Sequence, residues 1–386
     1  MDPRIADAFA YIDRHEDALY RLWENLVRME SPSADKAAIE KVMAHVDTYC
    51  DALDMEREIY SYEKAGPTFA AWTAPGPGKP VALIGHLDTV HPIGAFGEDA
   101  FRVEGDEVHG PGCYDMKGGV AIELFTIRVL KALGYEDRQL KLVLSGDEEV
   151  AHAFSDGESG RMVEAHVEGC EAAFNCESGA ANEDVTLERN GGGIVVVKVY
   201  GKAAHAGREP EKGASAILQA ARMITELESR TILGEMQFNC GRIKGGSGAN
   251  IVPDYCEFAI GLRYRTNEQY ETAMRLIDEL CRNPVVKGTH CEMYQNGYYP
   301  AMERTAGSEH LLAVYQEAAR LAGGKIPLGN IRQGGCSDSS FATRIGVPTL
   351  CAIGVQGANN HQLTEVAYYS SLKLQCKKLV AAILML

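Results

Sequence analysis

The chain has no CxxC pair, no apolar run close to the length of a membrane span, and no excess of positive charge. Each absence excludes something. The 11 cysteines are odd in number and scattered, which does not suit the disulfide framework of a secreted scaffold; reduced thiols in a cytoplasm are the expectation. Lysine and arginine total 38 against 54 acidic residues, a formal net charge of −16. Nucleic-acid binding needs a basic surface and is therefore not expected. Without a 20-residue apolar stretch there is no candidate membrane helix. The first residues, Met-Asp-Pro-Arg, lead into a charge-rich amphipathic pattern rather than the unbroken apolar core of a signal peptide. Repeats and low-complexity tracts are also missing.

What is present is length and apolar content. A chain of 386 residues, 46% hydrophobic, has material for two domains and a sizeable core. The periodicity predicts helices over Asp2–Met29, 36–53 and Met116–Leu133. Short apolar runs at Val81–Gly85, Leu140–Leu144, Ala172–Cys176 and Val347–Ile353 read as buried parallel strands. Strands alternating with helices imply an α/β fold with a mostly parallel central sheet flanked by helices.

From about Leu187 to Pro300 the rhythm changes. Gly193–Tyr200 is strand-like, Ala214–Glu228 helical, Met236–Ile243 and Tyr255–Arg263 strand-like, Asn267–Arg282 helical and His290–Tyr294 a short strand. That order is βαββαβ, the ferredoxin-like arrangement. The expected organisation is thus one domain from residues 1–186 and 301–386, interrupted by an insertion at 187–300.

The residues that carry chemistry follow the strand ends, the edge at which open α/β sheets bind ligands. His86-Leu87-Asp88 follows the first apolar run and Gly146-Asp147-Glu148-Glu149 the second. Glu177 follows the third, and His361 lies a short loop beyond the fourth. Asp115 sits in Gly112–Gly119, a loop entering a helix. Taken singly, each motif has an ordinary reading: a surface His-x-Asp, a solvated Glu-Glu, a helix cap, a loop histidine. Taken together they place three carboxylates, Asp115, Glu149 and Glu177, in one cleft with Glu148 and Asp88 near by. Without a cation such clustering would raise several of their pKa values. Two divalent ions would balance it. Mixed imidazole and carboxylate ligation suits zinc, with cobalt or manganese as substitutes. Asp88 suits an outer role, accepting the remaining imidazole N–H of His86. The other histidines, including His91 and His109, read as structural.

These motifs resemble the zinc aminoacylase/carboxypeptidase superfamily, which includes aminoacylases, acetylornithine deacetylases, succinyl-diaminopimelate desuccinylases, tripeptidases and glutamate carboxypeptidases. The resemblance extends to Gly201–Gly207 around His205, to Asn250-Ile251-Val252-Pro253 with Gly261-Leu262-Arg263, and to Gly334–Asp338. It implies that the insertion is a lid and dimerisation domain and that the molecule is a homodimer. It further implies that Asp115 bridges two Zn2+, that His86 and Glu177 complete one ion and Glu149 and His361 the other, and that Glu148 is the general base. Asp88 joins the catalytic group. His205 would reach a partner subunit's site to stabilise an oxyanion, and Asn250 and Arg263 would contact substrate. The peptide bond after Asp115 would be cis. The activity implied is hydrolysis of an amide next to a free carboxylate, in a small peptide or N-acyl amino acid. Glutamate carboxypeptidase is the closest type, with deacylase or di/tripeptidase as alternatives. Two positions depart from the glutamate-specific pattern: Tyr299 stands where an arginine is expected, and Asp184 where a lysine is. Arg189 is a candidate replacement charge. Two further readings are a non-catalytic metal- or peptide-binding relative, which would have no use for Glu148, and a cysteine-dependent hydrolase, for which no nucleophile motif exists.

Overall fold

The computed structural model describes residues 3–330 and 332–386. Asp2, where the sequence reading starts its first helix, lies outside the described residues. The chain divides into two units: Met1–Arg189 with Met302–Gln333 and Ser337–Leu386, and Asn190–Ala301 with Gly334–Cys336. The borders thus fall after Arg189 and Ala301 rather than after residues 186 and 300. The three residues Gly334–Cys336, placed in the first domain by the sequence reading, group with the second unit. The close approach of Cys336 Sγ to the backbone at Gly192 accounts for this.

The larger unit is built on a six-stranded sheet. Its order is Glu56–Tyr60, Thr68–Trp72, Arg138–Ser145, Gly78–His86, Ala172–Asn175, Thr349–Leu350. The last four strands run parallel, and the first two form an antiparallel hairpin added at the Arg138–Ser145 edge. Val81, Ala82, Leu83 and Ile84 are all fully buried. That is the pattern of a central strand covered on both faces, and it explains why the sequence shows an apolar run rather than alternation. The helix Gly118–Ala132 is buried for nearly its whole length, in keeping with its predominantly apolar sequence.

Four sequence expectations change in detail. The first helix is two, Arg4–Arg14 and Glu16–Arg28, broken at His15, whose φ of −118° leaves the helical region. The strand expected over Val347–Ile353 shrinks to Thr349–Leu350, because Cys351 turns to pair with Thr186 and Ala352 is left-handed at φ 59°. The helix expected from Met116 starts at Gly118, since Asp115 and Met116 are both non-helical; the bond between them is cis, as the resemblance implies. The strand expected over His290–Tyr294 continues to Tyr299 through an irregularity between Gln295 and Tyr298. The hairpin Glu56–Tyr60/Thr68–Trp72 and the helices Ala306–Ala322 and Tyr369–Leu384 were not anticipated.

The smaller unit is a four-stranded antiparallel sheet in the order Met236–Gly245, Tyr255–Tyr264, Gly191–Tyr200, His290–Tyr299. In chain order this is 2-3-1-4, the ferredoxin-like topology. The helices Ala216–Ser229 and Asn267–Arg282 pack on it; Val195, Val197, Phe258, Ile260, Met223, Leu227 and Ile277 form the shared core. Strict in-out alternation along Tyr255–Tyr264 shows one face covered and one open. Thr266 and Gln269 close a reciprocal capping box that starts the second helix.

Candidate metal centre

The site forms where the parallel strands end. His86 is the last residue of Gly78–His86, Glu148 and Glu149 follow Arg138–Ser145, and Glu177 follows Ala172–Asn175. Asp115 enters from the segment before the buried helix. Two glycines make that approach possible. Gly112 has a left-handed φ of 71°, and a Cβ on Gly119 would stand 1.8 Å from the Cys176 carbonyl oxygen. Any side chain at 119 would push the helix away from the strand end that carries Glu177.

The five residues expected as ligands converge. Asp115 lies between the two histidines: its Oδ1 is 3.3 Å from His86 Nε2 and its Oδ2 is 3.4 Å from His361 Nε2. Glu177 Oε1 lies 3.6 Å from His86 Nε2, and Glu149 Oε2 lies 3.1 Å from His361 Nε2. The contacts thus sort into a His86–Glu177 side and a His361–Glu149 side, with one oxygen of Asp115 toward each. Ligand atoms of His86, Asp115 and Glu149 fall within 4.8 Å of one another, as do those of His86, Glu148 and Glu177. His361, at 53% side-chain exposure, is the open edge of an otherwise buried group.

The electrostatics of this cluster favour cations. Burial pushes the Glu149 carboxyl up to about 7, with the Asp115 charge adding to it. Glu177 is likewise pushed up to about 7, first by burial and then by Asp115. Burial also raises Glu148, reinforced by Glu177 and Glu149 although His86 opposes them. Asp115 goes the other way: burial opposes its ionisation, but the hydrogen bonds and charges of His361 and His86 hold it low. Its carboxylate and that of Glu149 lift His361 to about 11. Glu149 Oε1 is buried without a hydrogen-bond partner among the described residues. An orphaned carboxylate oxygen beside crowded acids and two imidazoles fits a divalent-metal site in donor type and in charge.

Around the cluster stand residues that hold its loops. Asp88 is fully buried and takes the backbone N–H groups of Glu148 and Glu149, each at 3.1 Å, and the Ser33 hydroxyl at 2.7 Å. His86 Nδ1 is nearer to the Asp88 carbonyl, at 3.0 Å, than to its carboxylate, at 3.4 Å. The expected carboxylate–imidazole contact is therefore the longer of two, because the carboxylate is occupied by the glutamate loop. Lys117 is buried, donates to the Met29 carbonyl at 2.7 Å and is pushed down to about 7 by burial.

Three supporting groups escaped the sequence reading. Glu365 is 1% exposed and gathers the loop before the buried helix: Oε1 accepts the N–H groups of Tyr114 (2.9 Å) and Asp115 (3.1 Å), and Oε2 that of Gly112 (3.3 Å). His91 Nε2 lies 2.8 Å from Glu365 Oε2, which gives that histidine its structural role. Glu123, raised by burial, accepts the Cys176 N–H at 3.1 Å beneath Glu177. His152 sits between Asp147 (3.2 Å) and Asp338 (2.7 Å), and Asp338 also takes the Ser145 hydroxyl at 2.6 Å. A lone buried glutamate or histidine has no motif; the only sequence signal was its polarity within an apolar or turn-rich stretch.

The remaining candidates belong to the smaller unit. His205 is exposed; its Nδ1 accepts the Gly207 N–H at 3.1 Å, and its backbone pairs with Ile251. The Asn250 carbonyl takes the Ala206 N–H at 3.0 Å, so Asn250 and His205 are neighbours there. Arg263 is exposed beside Gly192 and donates to the Leu262 carbonyl at 2.9 Å. Of the two departures from the glutamate pattern, Asp184 is tied up structurally, accepting the Leu328 and Gly329 N–H groups at 2.7 and 2.6 Å. Tyr299 is buried, and its carbonyl accepts the Tyr264 hydroxyl. Arg189 is buried with its Nε 3.3 Å from Cys351 Sγ, and the nearby Glu177 helps to keep it charged.

Comparison with known proteins agrees with this picture. Residues 187–289 match the peptidase dimerisation domain of the M20 family. The chain is 30% identical to carboxypeptidase G2 of Pseudomonas sp. (strain RS-16) over 292 residues, covering 74% of this chain and 68% of the relative. It is 31% identical to acetylornithine deacetylase of Myxococcus xanthus over 217 residues, 52% of this chain and 53% of that one. The fold matches a metallo-carboxypeptidase of Sulfolobus solfataricus at a TM-score of 0.73, with 16% identity over 95% of this chain and 98% of that one. It also matches an aminopeptidase from Bacillus cereus at 0.72, with 22% identity over 95% and 97%. The chain belongs to the M20 family of metal-dependent hydrolases, the zinc aminoacylase/carboxypeptidase superfamily.

Proposed function

We propose that this hydrolase cleaves an amide bond next to a free carboxylate, as an exopeptidase that releases the C-terminal residue of a small peptide or N-acyl amino acid. The observation that carries the reading is Asp115, with one carboxylate oxygen toward His86 and the other toward His361. In this reading Asp115, between the two histidines, would hold two Zn2+ together with His86 and Glu177 on one side and Glu149 and His361 on the other; Co2+ or Mn2+ could stand in. Bound there, such ions would supply Lewis acidity toward the attacking water and the scissile carbonyl. Glu148 takes the proton of the attacking water and returns it to the leaving amine, general-base then general-acid work. Asp88 keeps the glutamate loop in place. Asn250 and Arg263 hold the substrate carboxylate or side chain, and His205 of a homodimer partner donates to the oxyanion. The matched dimerisation domain supports the dimer. The free cysteines suit a cytoplasmic setting. Among the described residues no helix is long and apolar enough to cross a membrane.

A deacylase reading shares every one of these groups and differs only in the acyl substituent; the acetylornithine deacetylase relative supports it. The cysteine reading finds no support: of the 11 free cysteines, eight are buried and three half-buried. The test is to strip metal with a chelator, restore Zn2+, Co2+ or Mn2+, and follow a panel of dipeptides and N-acyl amino acids by mass spectrometry. Activity should vanish on chelation, return with metal and survive thiol alkylation. Activity that persists without metal, or no cleavage across the panel, would overturn the proposal.

A further inference from the structure

Beside the metal centre the larger unit contains a pocket of about 470 Å³, within the size range of small-molecule sites. Its wall is formed by Pro32, Thr89, Val90, Ile93, Val150 and Phe154, and Glu149 lines it as well. The pocket therefore shares a side chain with the candidate metal cluster. Val90 is 38% exposed and Ile93 57%. Single exposed apolar residues need no explanation, but these two stand on the wall of one cavity next to reacting groups.

The polar groups of the pocket are largely committed elsewhere. The Ser33 hydroxyl is given to Asp88, and the Asp35 carboxylate caps the helix Lys36–Asp51 by accepting the Ala38 N–H at 3.1 Å. Thr89 Oγ1 is the exception: it is buried and has no hydrogen-bond partner among the described residues. No lysine or arginine lines the cavity, and its ionisable groups are the two acids Asp35 and Glu149. An acidic side chain entering it would meet apolar carbon and the Asp35 carboxylate, with no cationic side chain to receive it. An aliphatic or aromatic group would be desolvated against Val90, Ile93, Val150 and Phe154.

We infer that this pocket is the specificity site of the enzyme and that it takes an apolar substituent, aliphatic or aromatic, attached to the cleaved amide. The inference rests on the hydrolase reading above and narrows it, from any N-acyl amino acid or peptide to those bearing an apolar residue. A glutamyl substituent is not what this pocket selects.

Two measurements test it. In the first, the zinc-loaded enzyme is given dipeptides that differ only in alanine, leucine, phenylalanine or glutamate at each position in turn. At one position, leucine or phenylalanine should exceed alanine in kcat/KM by about 10–200-fold, the range that extra methylenes command in an apolar pocket, and glutamate should fall below alanine. Ile93→Asp and Phe154→Ala should each remove about tenfold or more of that preference, read as the ratio of leucine to alanine kcat/KM within each variant. Equal rates for alanine and leucine, a preference for glutamate, or a preference that survives both substitutions would overturn the inference. In the second, binding of N-acetyl-L-phenylalanine, N-acetyl-L-alanine and N-acetyl-L-glutamate is measured by calorimetry on Glu148→Gln protein, with and without Ile93→Asp. The phenylalanine compound should bind tightest and lose its advantage with Ile93→Asp; equal affinities would overturn the inference. This result does not depend on cleavage. If no dipeptide is hydrolysed yet the apolar compound binds selectively, the hydrolase reading fails and the pocket stands. If dipeptides are hydrolysed without apolar preference, the pocket fails and the hydrolase reading stands.

Discussion

The carboxylate of Asp88 accepts the backbone N–H of Glu148 at 3.1 Å. Its other oxygen takes the N–H of Glu149 at the same distance and the Ser33 hydroxyl at 2.7 Å. The loop that presents both glutamates is thus fixed through its main chain, by a residue at the end of the neighbouring strand. Their side chains are left to face the metal cluster. A substitution at the Glu148 side chain therefore probes chemistry without releasing the loop.

Glu148→Gln is expected to retain metal and to lose activity by about 10²–10⁴-fold, the range of a missing general base. Glutamine keeps the shape but has no proton to accept or deliver. Metal content by plasma emission and kcat on one preparation decide the matter. A variant that binds no metal, or that keeps near-normal kcat, would mean that the roles of Glu148 and Glu149 are reversed.

Glu365→Gln is expected to weaken metal binding by about 10–100-fold, as loss of groups that orient ligands does. Glu365 meets three backbone N–H groups, including that of Asp115, and His91 Nε2. An amide replaces one accepting oxygen with a donor that confronts these donors. Competition with a fluorescent zinc chelator gives the affinity. Unchanged affinity would show that the Gly112–Asp115 loop is held by other contacts.

His152 links Asp147 to Asp338 and so ties the segment after Glu149 to the end of the sheet. Ala151 and His152 themselves are left-handed, at φ 54° and 56°, a conformation that costs non-glycine residues about 1–2 kcal/mol each. Burial opposes protonation of this imidazole, but Asp338 and Asp147 raise it well above its ordinary value. A raised folded-state pKa means that its stabilisation is complete below the unfolded value of about 6.5 and is lost as pH rises through the folded value. His152→Gln should therefore lower Tm most at about pH 6, and the gap to wild type should narrow in alkaline buffer. Breaking such a buried pair costs about 3–5 kcal/mol. Calorimetric scans across the pH range check it, and a gap that widens with pH would contradict the assignment.

How far the sequence foretold this molecule depended on whether a feature was local. The central strands were legible because burial on both faces leaves a continuous apolar run, as at Val81–Ile84. The smaller unit was legible because Tyr255–Tyr264 alternates and its two helices are capped, at Ser215 and Thr266. His86, Glu149 and Glu177 were legible because charged residues that follow apolar runs conflict with burial unless something pairs with them, and Asp115 because it sits in a glycine-rich loop entering a helix. The hairpin Glu56–Tyr60/Thr68–Trp72 was not, since its outer strand is mostly exposed and its sequence, EREIY, shows no clean alternation. Glu365 and the His152–Asp338 pair were not, because their partners are 250–253 and 186 residues away. Contacts at such separations leave no pattern in a single chain.

His205 supplies the last prediction. It lies on the smaller unit, exposed, with small flanks Ala203-Ala204 and Ala206-Gly207 and with Asn250 beside it. Its Nδ1 accepts the Gly207 N–H at 3.1 Å, which leaves Nε2 as the donor of a neutral ring. If that donor serves the oxyanion in a partner subunit, His205→Ala should cost about 10²–10³ in kcat, and so should not be repaired by anything within its own chain. Mixing His205→Ala with Glu148→Gln under conditions of subunit exchange then produces a mixed dimer in which one site has an intact Glu148 from its own chain and an intact His205 from the other. Activity should rise toward one working site per mixed dimer. Exchange is followed independently, by native mass spectrometry of differently tagged chains. Mixed dimers that form while activity stays at the level of the two parents would show that His205 acts within its own chain or outside the reaction.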